Sequence, residues 1–152
     1  MADIRVDTAS PNNSAGIYDA GDNQGGLQTF QNFVQVAGAY CRIRSIMYRD
    51  LINARPEITL LFFSANPTLS TITDNAPIVI HADDQAKIFH EETIKPGDWT
   101  NLGTTAIYSR DNIAKAAFLA DTSLRMVVLH RRRCLYASGT DNVRIRIEVE
   151  SG

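Results

Sequence analysis

The chain has 152 residues, of which 44% are hydrophobic and 21% charged, and a formal net charge of −2. That length suits a single domain, 1–152, which can bury a core without a metal or a disulfide. The composition excludes bulk disorder, no run approaches the ~20 apolar residues that span a bilayer, and the near-neutral charge argues against a dedicated nucleic-acid binder.

Residues 1–40 are poor in regular pattern. Met1 to Val6 has neither the basic nor the apolar stretch of a secretory leader. Turn clusters stand at Ser10-Pro11-Asn12-Asn13-Ser14 and Gly21-Asp22-Asn23-Gln24-Gly25-Gly26, with short candidate strands at Ala15–Tyr18 and Leu27–Val36. The section reads as an extended arm or as the irregular edge of a β-domain. Arg42–Leu51 predicts a strand. Glu57–Phe63 is almost continuously apolar, as in a strand buried on both faces. Arg55-Pro56 between them predicts a hairpin.

A polar loop follows from Ser64 to Asn75. Asp83–Ile88 is the best helix candidate, one or two turns with acidic residues at its start. Further strands are predicted at Phe89–Ile94, Thr104–Tyr108, Ala116–Leu119 and Leu124–His130. The clearest comes last: Val143, Ile145, Ile147 and Val149 alternate with Arg144, Arg146, Glu148 and Glu150. Many short strands and one short helix give an all-β fold, a β-sandwich or jelly roll.

No motif carries chemistry. His81, Asp83, Asp84, His90, Glu91 and Glu92 crowd into twelve positions. They offer metal ligands or a solvated acidic edge, but they lack metal-ligand spacing, and no metal or cofactor is expected. Gly21–Gly26 is not a phosphate loop and reads as a turn with left-handed glycines. Cys41 and Cys134 read as reduced, mostly buried thiols, and no catalytic residue is identified.

Charge carries more information. Arginine fills twelve positions and lysine three, the preference of partly desolvated ion pairs at interfaces. An acidic block spans Asp74–Asp98 and a basic block Arg125–Glu150. These are solvated faces or pairing surfaces, within a subunit or between subunits. In the second case the contact residues are Arg131, Arg132 and Arg133, then Asp83, Asp84, Glu91 and Glu92, with alternation placing Arg131 and Arg133 on one face. Trp99, after the turn Pro96-Gly97-Asp98, is either an interface anchor or a lid on the core.

Several segments resemble a family of tailed-bacteriophage virion proteins. They are Tyr18-Asp19-Ala20-Gly21-Asp22 with Gly25-Gly26-Leu27, Leu60 to Phe63 with Pro67-Thr68, Thr73-Asp74-Asn75-Ala76-Pro77, and Tyr136-Ala137-Ser138 before the Val143-Arg144-Ile145 strand. The likeness runs from Tyr18 onward, in order and with similar spacing, and departs at the more basic His130–Cys134. It implies a capsid decoration or cement protein with a β-sandwich fold, made in the host cytoplasm and placed on the outer capsid surface. The implied partners are the major capsid protein and further copies of the chain, as a trimer or dimer, with no nucleic acid and no membrane. A carbohydrate-binding or tail-associated adhesin module is the alternative; a row of exposed aromatic residues would favour it.

Overall fold

The structure is a computed structural model that describes residues 3–9, 16–136 and 143–152. The turn cluster Ser10–Ser14, Ala15, Ala137, Ser138 and Asp141 fall outside them. Among the described residues the fold is all-β, with two packed antiparallel sheets, a separate two-stranded pair and one helical turn of α type. Strands are β1 (Asp3–Ala9), β2 (Gly16–Tyr18), β3 (Gln28–Phe30), β4 (Tyr40–Asp50), β5 (Ile58–Phe63), β6 (Ile88–Ile94), β7 (Thr100–Asn101), β8 (Ala106–Arg110), β9 (Lys115–Phe118), β10 (Leu124–His130), β11 (Cys134–Tyr136) and β12 (Val143–Ser151). The helix α1 (Ala82–Gln85) is shorter than the acidic pattern predicts, because Ile88 already starts β6.

One sheet has six strands in the order β1-β12-β4-β8-β7, with β9 beside the first half of β4. The other has four, in the order β3-β10-β5-β6, and β2 pairs with β11 separately. Between the sheets lie Ile58, Leu60 and Phe62 of β5, Met126 and Val128 of β10, Ile43, Ile46 and Tyr48 of β4, and Val143, Ile145, Ile147 and Val149 of β12, all fully buried. The alternation read in the last strand therefore holds, its branched residues inward and its charges outward.

The predicted hairpin between β4 and β5 does not form, since the two strands belong to different sheets. Residues 51–57 instead turn a corner of the sandwich. The buried Asp50 carboxylate organises it by accepting the N–H groups of Ile52 (3.2 Å) and Arg55 (2.7 Å). Asn53 and Arg55 take left-handed backbone conformations there, a cost that the buried acceptor offsets. The strand expected over Leu27–Val36 stops at Phe30. Beyond a left-handed Asn32 the chain folds back, and Phe33 stacks on Phe30 at 5.5 Å. The strand β1 has no counterpart among the elements the sequence predicts.

The sheets differ in what covers their outer faces. All six residues of β5 are buried. Leu61 and Phe63 point away from the main core, with Val127, into a second cluster roofed by Leu27, Ile72, Ile78, Ile80 and Ile88. Most of that roof comes from the predicted polar loop and the segment after it. Two segments singled out in the sequence hold it down. The Asp74 carboxylate accepts the Tyr18 hydroxyl (2.8 Å) and the Gly25 N–H (2.7 Å). Backbone bonds join Asn23 to Ala76 (3.0 Å), Asn75 to Asn23 (2.8 Å) and Ile78 to Gly21 (3.0 Å). Gly21, Gly25 and Gly26 have positive φ, as this tight strap requires.

The inward alternation of β12 gives a paired prediction. Ile147→Ala should cost about 2–5 kcal/mol in urea unfolding, the range for a large apolar deletion in a packed core. Arg146→Ala should stay within about 0.5 kcal/mol of the parent. Equal losses at both positions would contradict the assigned faces.

Candidate functional site

Among the described residues the six-stranded sheet is the one whose outer face has no cover. Its outer face is built by alternation on three adjacent strands. From β4 come Arg42, Arg44, Met47 and Arg49; from β12, Arg144, Arg146, Glu148 and Glu150; from β1, Ile4, Val6 and Thr8. The alternation on β4 slips by one residue at Ser45, where the β12 pairing also shifts register between Glu148 and Val149. The slip keeps Ile43, Ile46 and Tyr48 inside and the arginines outside.

Five arginines thus face two glutamates across one sheet surface. Arg42 pairs directly with Glu150, which raises the guanidinium pKa through the hydrogen bond they share. Arg44 and Arg146 both approach Glu148, at 3.7 Å and 3.9 Å. Arg144 sits directly opposite Arg49. An open depression of about 710 Å³ lies on this face, lined by Ile4, Arg42, Arg44, Arg146, Glu148, Glu150 and the turn at Asp111–Asn112.

The residues expected at contacts divide into two groups. Arg131, Arg132 and Arg133 are exposed. They lie in the bend between β10 and β11, so strand alternation does not apply to them. Arg132 pairs with Glu57 at 2.5 Å and Arg133 approaches Asp19 at 3.8 Å. Glu91 is exposed on β6 and shares a depression of about 250 Å³ with Arg131. Asp83 is exposed beside His81, whose Nδ1 accepts the Asp83 N–H at 3.1 Å.

Asp84, Glu92 and Trp99 are buried. Burial acts to raise the Asp84 carboxyl. Bonds from Lys87 (2.6 Å), Ser70 (2.7 Å) and the Leu69 N–H (2.9 Å) outweigh it and hold the group below the usual carboxylate range. Glu92 joins the two sheets. It bonds His90 on its own strand (2.8 Å) and reaches Tyr108 (2.6 Å) and Arg110 (2.6 and 2.9 Å) on β8. Burial again opposes ionisation, and these three partners overcome it, bringing the pKa down to about 2. Trp99 donates its indole N–H to the Pro56 carbonyl (2.9 Å) and packs edge-on against Tyr48. The six residues of the His/Asp/Glu cluster are thus spread over separate hydrogen-bond sets. Cys41 and Cys134 are free thiols, and burial pushes Cys41 up to about 12 and Cys134 up to about 11.

Sequence reasoning missed Arg42, Arg44 and Arg49 as companions of Arg144 and Arg146. The signal was present as two i, i+2 pairs, Arg42/Arg44 and Met47/Arg49, broken by one extra residue. It missed His130 as well. This residue ends β10, is fully buried, stacks on Tyr18 (centroids 4.9 Å apart) and bonds Gln24 through Nε2 (2.8 Å). Burial depresses its pKa to about 4, against the smaller opposing pull of Asp22 and Asp74.

No family model matches the chain, and no curated protein matches it. Solved structures do. A chain of a marine algae virus of the order Picornavirales is similar at 10% identity and a TM-score of 0.34, over 99% of this chain and 69% of the other. A chain of Desmodium yellow mottle tymovirus is similar at 7% identity and a TM-score of 0.32, over 99% and 87%. A putative sugar binding protein from Bacteroides thetaiotaomicron is similar at 14% identity and a TM-score of 0.27, over 99% and 81%. Among the described residues no helix is long and apolar enough to cross a membrane.

The buried groups set the acid response. His130 is neutral when folded, and its pKa of about 4 lies below the ordinary 6.5. Stability from this residue is complete above about pH 6.5 and is lost as the pH falls toward 4, because the unfolded chain binds the proton first. Urea unfolding should show about 2 kcal/mol less stability at pH 5 than at pH 7 from this group. His130→Gln should remove most of that difference. Glu92 has the opposite charge type, so its contribution is full above the ordinary 4.5 and disappears toward about 2, adding a second, more acidic phase of loss.

Proposed function

We propose that this chain is a structural protein of a virus particle. In this reading it decorates and cements a tailed-bacteriophage capsid, binding the major capsid protein and other copies of itself on the outer surface. The observation that carries the reading is the asymmetry of the sandwich. One sheet is roofed and belongs to the core, whereas the other presents an arginine-rich face with nothing over it among the described residues. Such a face suits a broad acidic protein surface better than a small substrate. Guanidinium groups bind carboxylates bidentately and tolerate partial desolvation.

The motif residues that resemble phage virion proteins support the same reading in a structural sense. They form the strap at Tyr18, Gly25 and Asp74 and not a catalytic constellation. An adhesin that binds sugars by stacking would want an exposed aromatic row. Among the described aromatic residues only Phe118 is exposed, and Trp99 is inside. In the proposed complex the open face provides the main contact, and the bend at Arg131, Arg132 and Arg133, with Asp83 and Glu91, provides further contacts at its border with neighbouring chains.

Co-sedimentation with capsids assembled without the chain tests this. The parent protein should pellet with the particles and make them harder to disrupt by heat. Arg49→Glu with Arg146→Glu should weaken that binding at least about tenfold, as expected for reversed charges at a contact. The melting temperature of the free protein should stay within about 2 °C, since both side chains are exposed. Unchanged binding by this variant, and by one with Arg131, Arg132 and Arg133 all reversed, would refute the assignment.

A further inference from the structure

The strand β1 lies at the edge of the six-stranded sheet and pairs only with β12 among the described residues. We infer that β1 pairs across this edge with β1 of a second copy, antiparallel about a two-fold axis at Val6, joining two six-stranded sheets into one. The inference does not depend on the capsid reading.

Three observations support this pairing, and the first two bear on its register. The first is the direction of the backbone groups. The Asp3 carbonyl accepts the Ser151 hydroxyl of β12 at 3.5 Å, so it points into the sheet. The Thr8 N–H instead points away from β12, where the Asp7 carboxylate accepts it at 2.8 Å, a bond that Asp7 exchanges for Arg5 of the second copy when the strands pair. Alternate residues of an antiparallel strand turn their N–H and C=O to opposite sides. Ile4, Val6 and Thr8 therefore present theirs to the open edge. A two-fold axis at Val6 pairs Val6 with itself and Ile4 with Thr8 of the other copy. An axis at Arg5 would present groups already used by β12.

Charge is the second observation. With the axis at Val6, Arg5 stands directly opposite Asp7 of the other copy, twice per dimer. An axis at Arg5 would oppose Asp3 to Asp7 instead. Within one chain Arg5 is only partly satisfied. It bonds Asp3 (2.7 Å) and the Asn32 carbonyl (3.0 Å), while its buried Nε has no acceptor. Among the described residues Asp7 accepts the Thr8 N–H alone.

The third is the lack of protection. Edge strands are blunted by charged side chains, proline, a bulge or a cover. The described β1, DIRVDTA, has no proline or bulge and keeps an unbroken seven-residue register on β12; its only such device is the charges of Asp3, Arg5 and Asp7, which the pairing matches rather than opposes. Ile4 and Val6 are 46% and 45% exposed. An open depression of about 400 Å³ beside Arg5, Val6 and Asp7 leaves room along the edge.

Sedimentation velocity on the full chain, over a micromolar concentration series, tests the pairing. The parent should dimerise. Val6→Pro removes an edge N–H that β12 does not use, so it should give a monomer with unchanged circular dichroism. Arg5→Asp and Asp7→Arg should each weaken the dimer at least about tenfold, and the double variant should restore it, since only this register opposes positions 5 and 7. In a background with Cys134→Ala, Val6→Cys should form an interchain disulfide under mild oxidation, whereas the more exposed control Val36→Cys should not. A parent that stays monomeric, a double variant no better than the singles, or equal cross-linking from positions 6 and 36 would each overturn the inference. The cross-link decides the matter if Val6→Pro fails to fold.

Discussion

The carboxylate of Asp74 fixes what the rest of the molecule can be. It gathers the Tyr18 hydroxyl and the Gly25 N–H on one oxygen. In doing so it ties two segments about fifty residues apart in sequence, a separation whose loop-closure entropy must be offset by what the tie allows. What it allows is the roof. With residues 71–80 held against residues 21–25, Ile72, Ile78 and Ile80 come down on Leu61, Phe63 and Val127. Only then can β5 be apolar on both faces without exposing a patch of aromatic and aliphatic surface to water. His130 and Tyr18 stack beneath the same strap, so one buried polar knot joins the end of β10 to the loop that covers it.

Closing one sheet leaves the other to meet the surroundings. Its inner face shares the core, and its outer face has to be polar. Polarity alone would be met by mixed charges or by serine and threonine. Instead the sheet carries five arginines on two neighbouring strands, with Arg49 directly opposite Arg144. Glu148 and Glu150 of β12 meet Arg42, Arg44 and Arg146 on the same face. In the proposed complex an acidic protein surface would lie over it. Behind this surface lies Glu92. By binding Tyr108 and Arg110 on β8 it ties the rim of the open sheet to β6 of the closed one.

Much of this was legible in the sequence, for identifiable reasons. The last strand announced both faces, because period two is unambiguous when branched aliphatic residues alternate with charges over eight positions. The run from Glu57 to Phe63 announced a strand buried on both sides, because no single-faced strand tolerates Leu60 through Phe63 in succession. The resemblance segments were noticed as words, yet nothing local says that Asp74 reaches Tyr18, since that contact exists only in three dimensions. The corner at residues 51–57 was misread as a hairpin because Arg55-Pro56 is a turn signal that does not state which sheet the chain enters next. The strand β1 went unread because Asp3, Arg5 and Asp7 made it look like a polar terminus, although its Ile4 and Val6 alternate as an edge strand requires. The β4 arginines were hidden by the one-residue slip at Ser45.

The central claim is that one outer face is sealed and the other is available. Thiol-labelling rates on two single-cysteine proteins, with Cys41 and Cys134 replaced by alanine, test it most directly. Val127→Cys lies under the roof, and Met47→Cys lies on the arginine face. The account predicts that the thiol at position 47 reacts at the rate of an exposed strand residue. The thiol at 127 should react orders of magnitude more slowly, at a rate that rises with urea as the fold opens. Comparable rates at the two positions in the folded protein would contradict it.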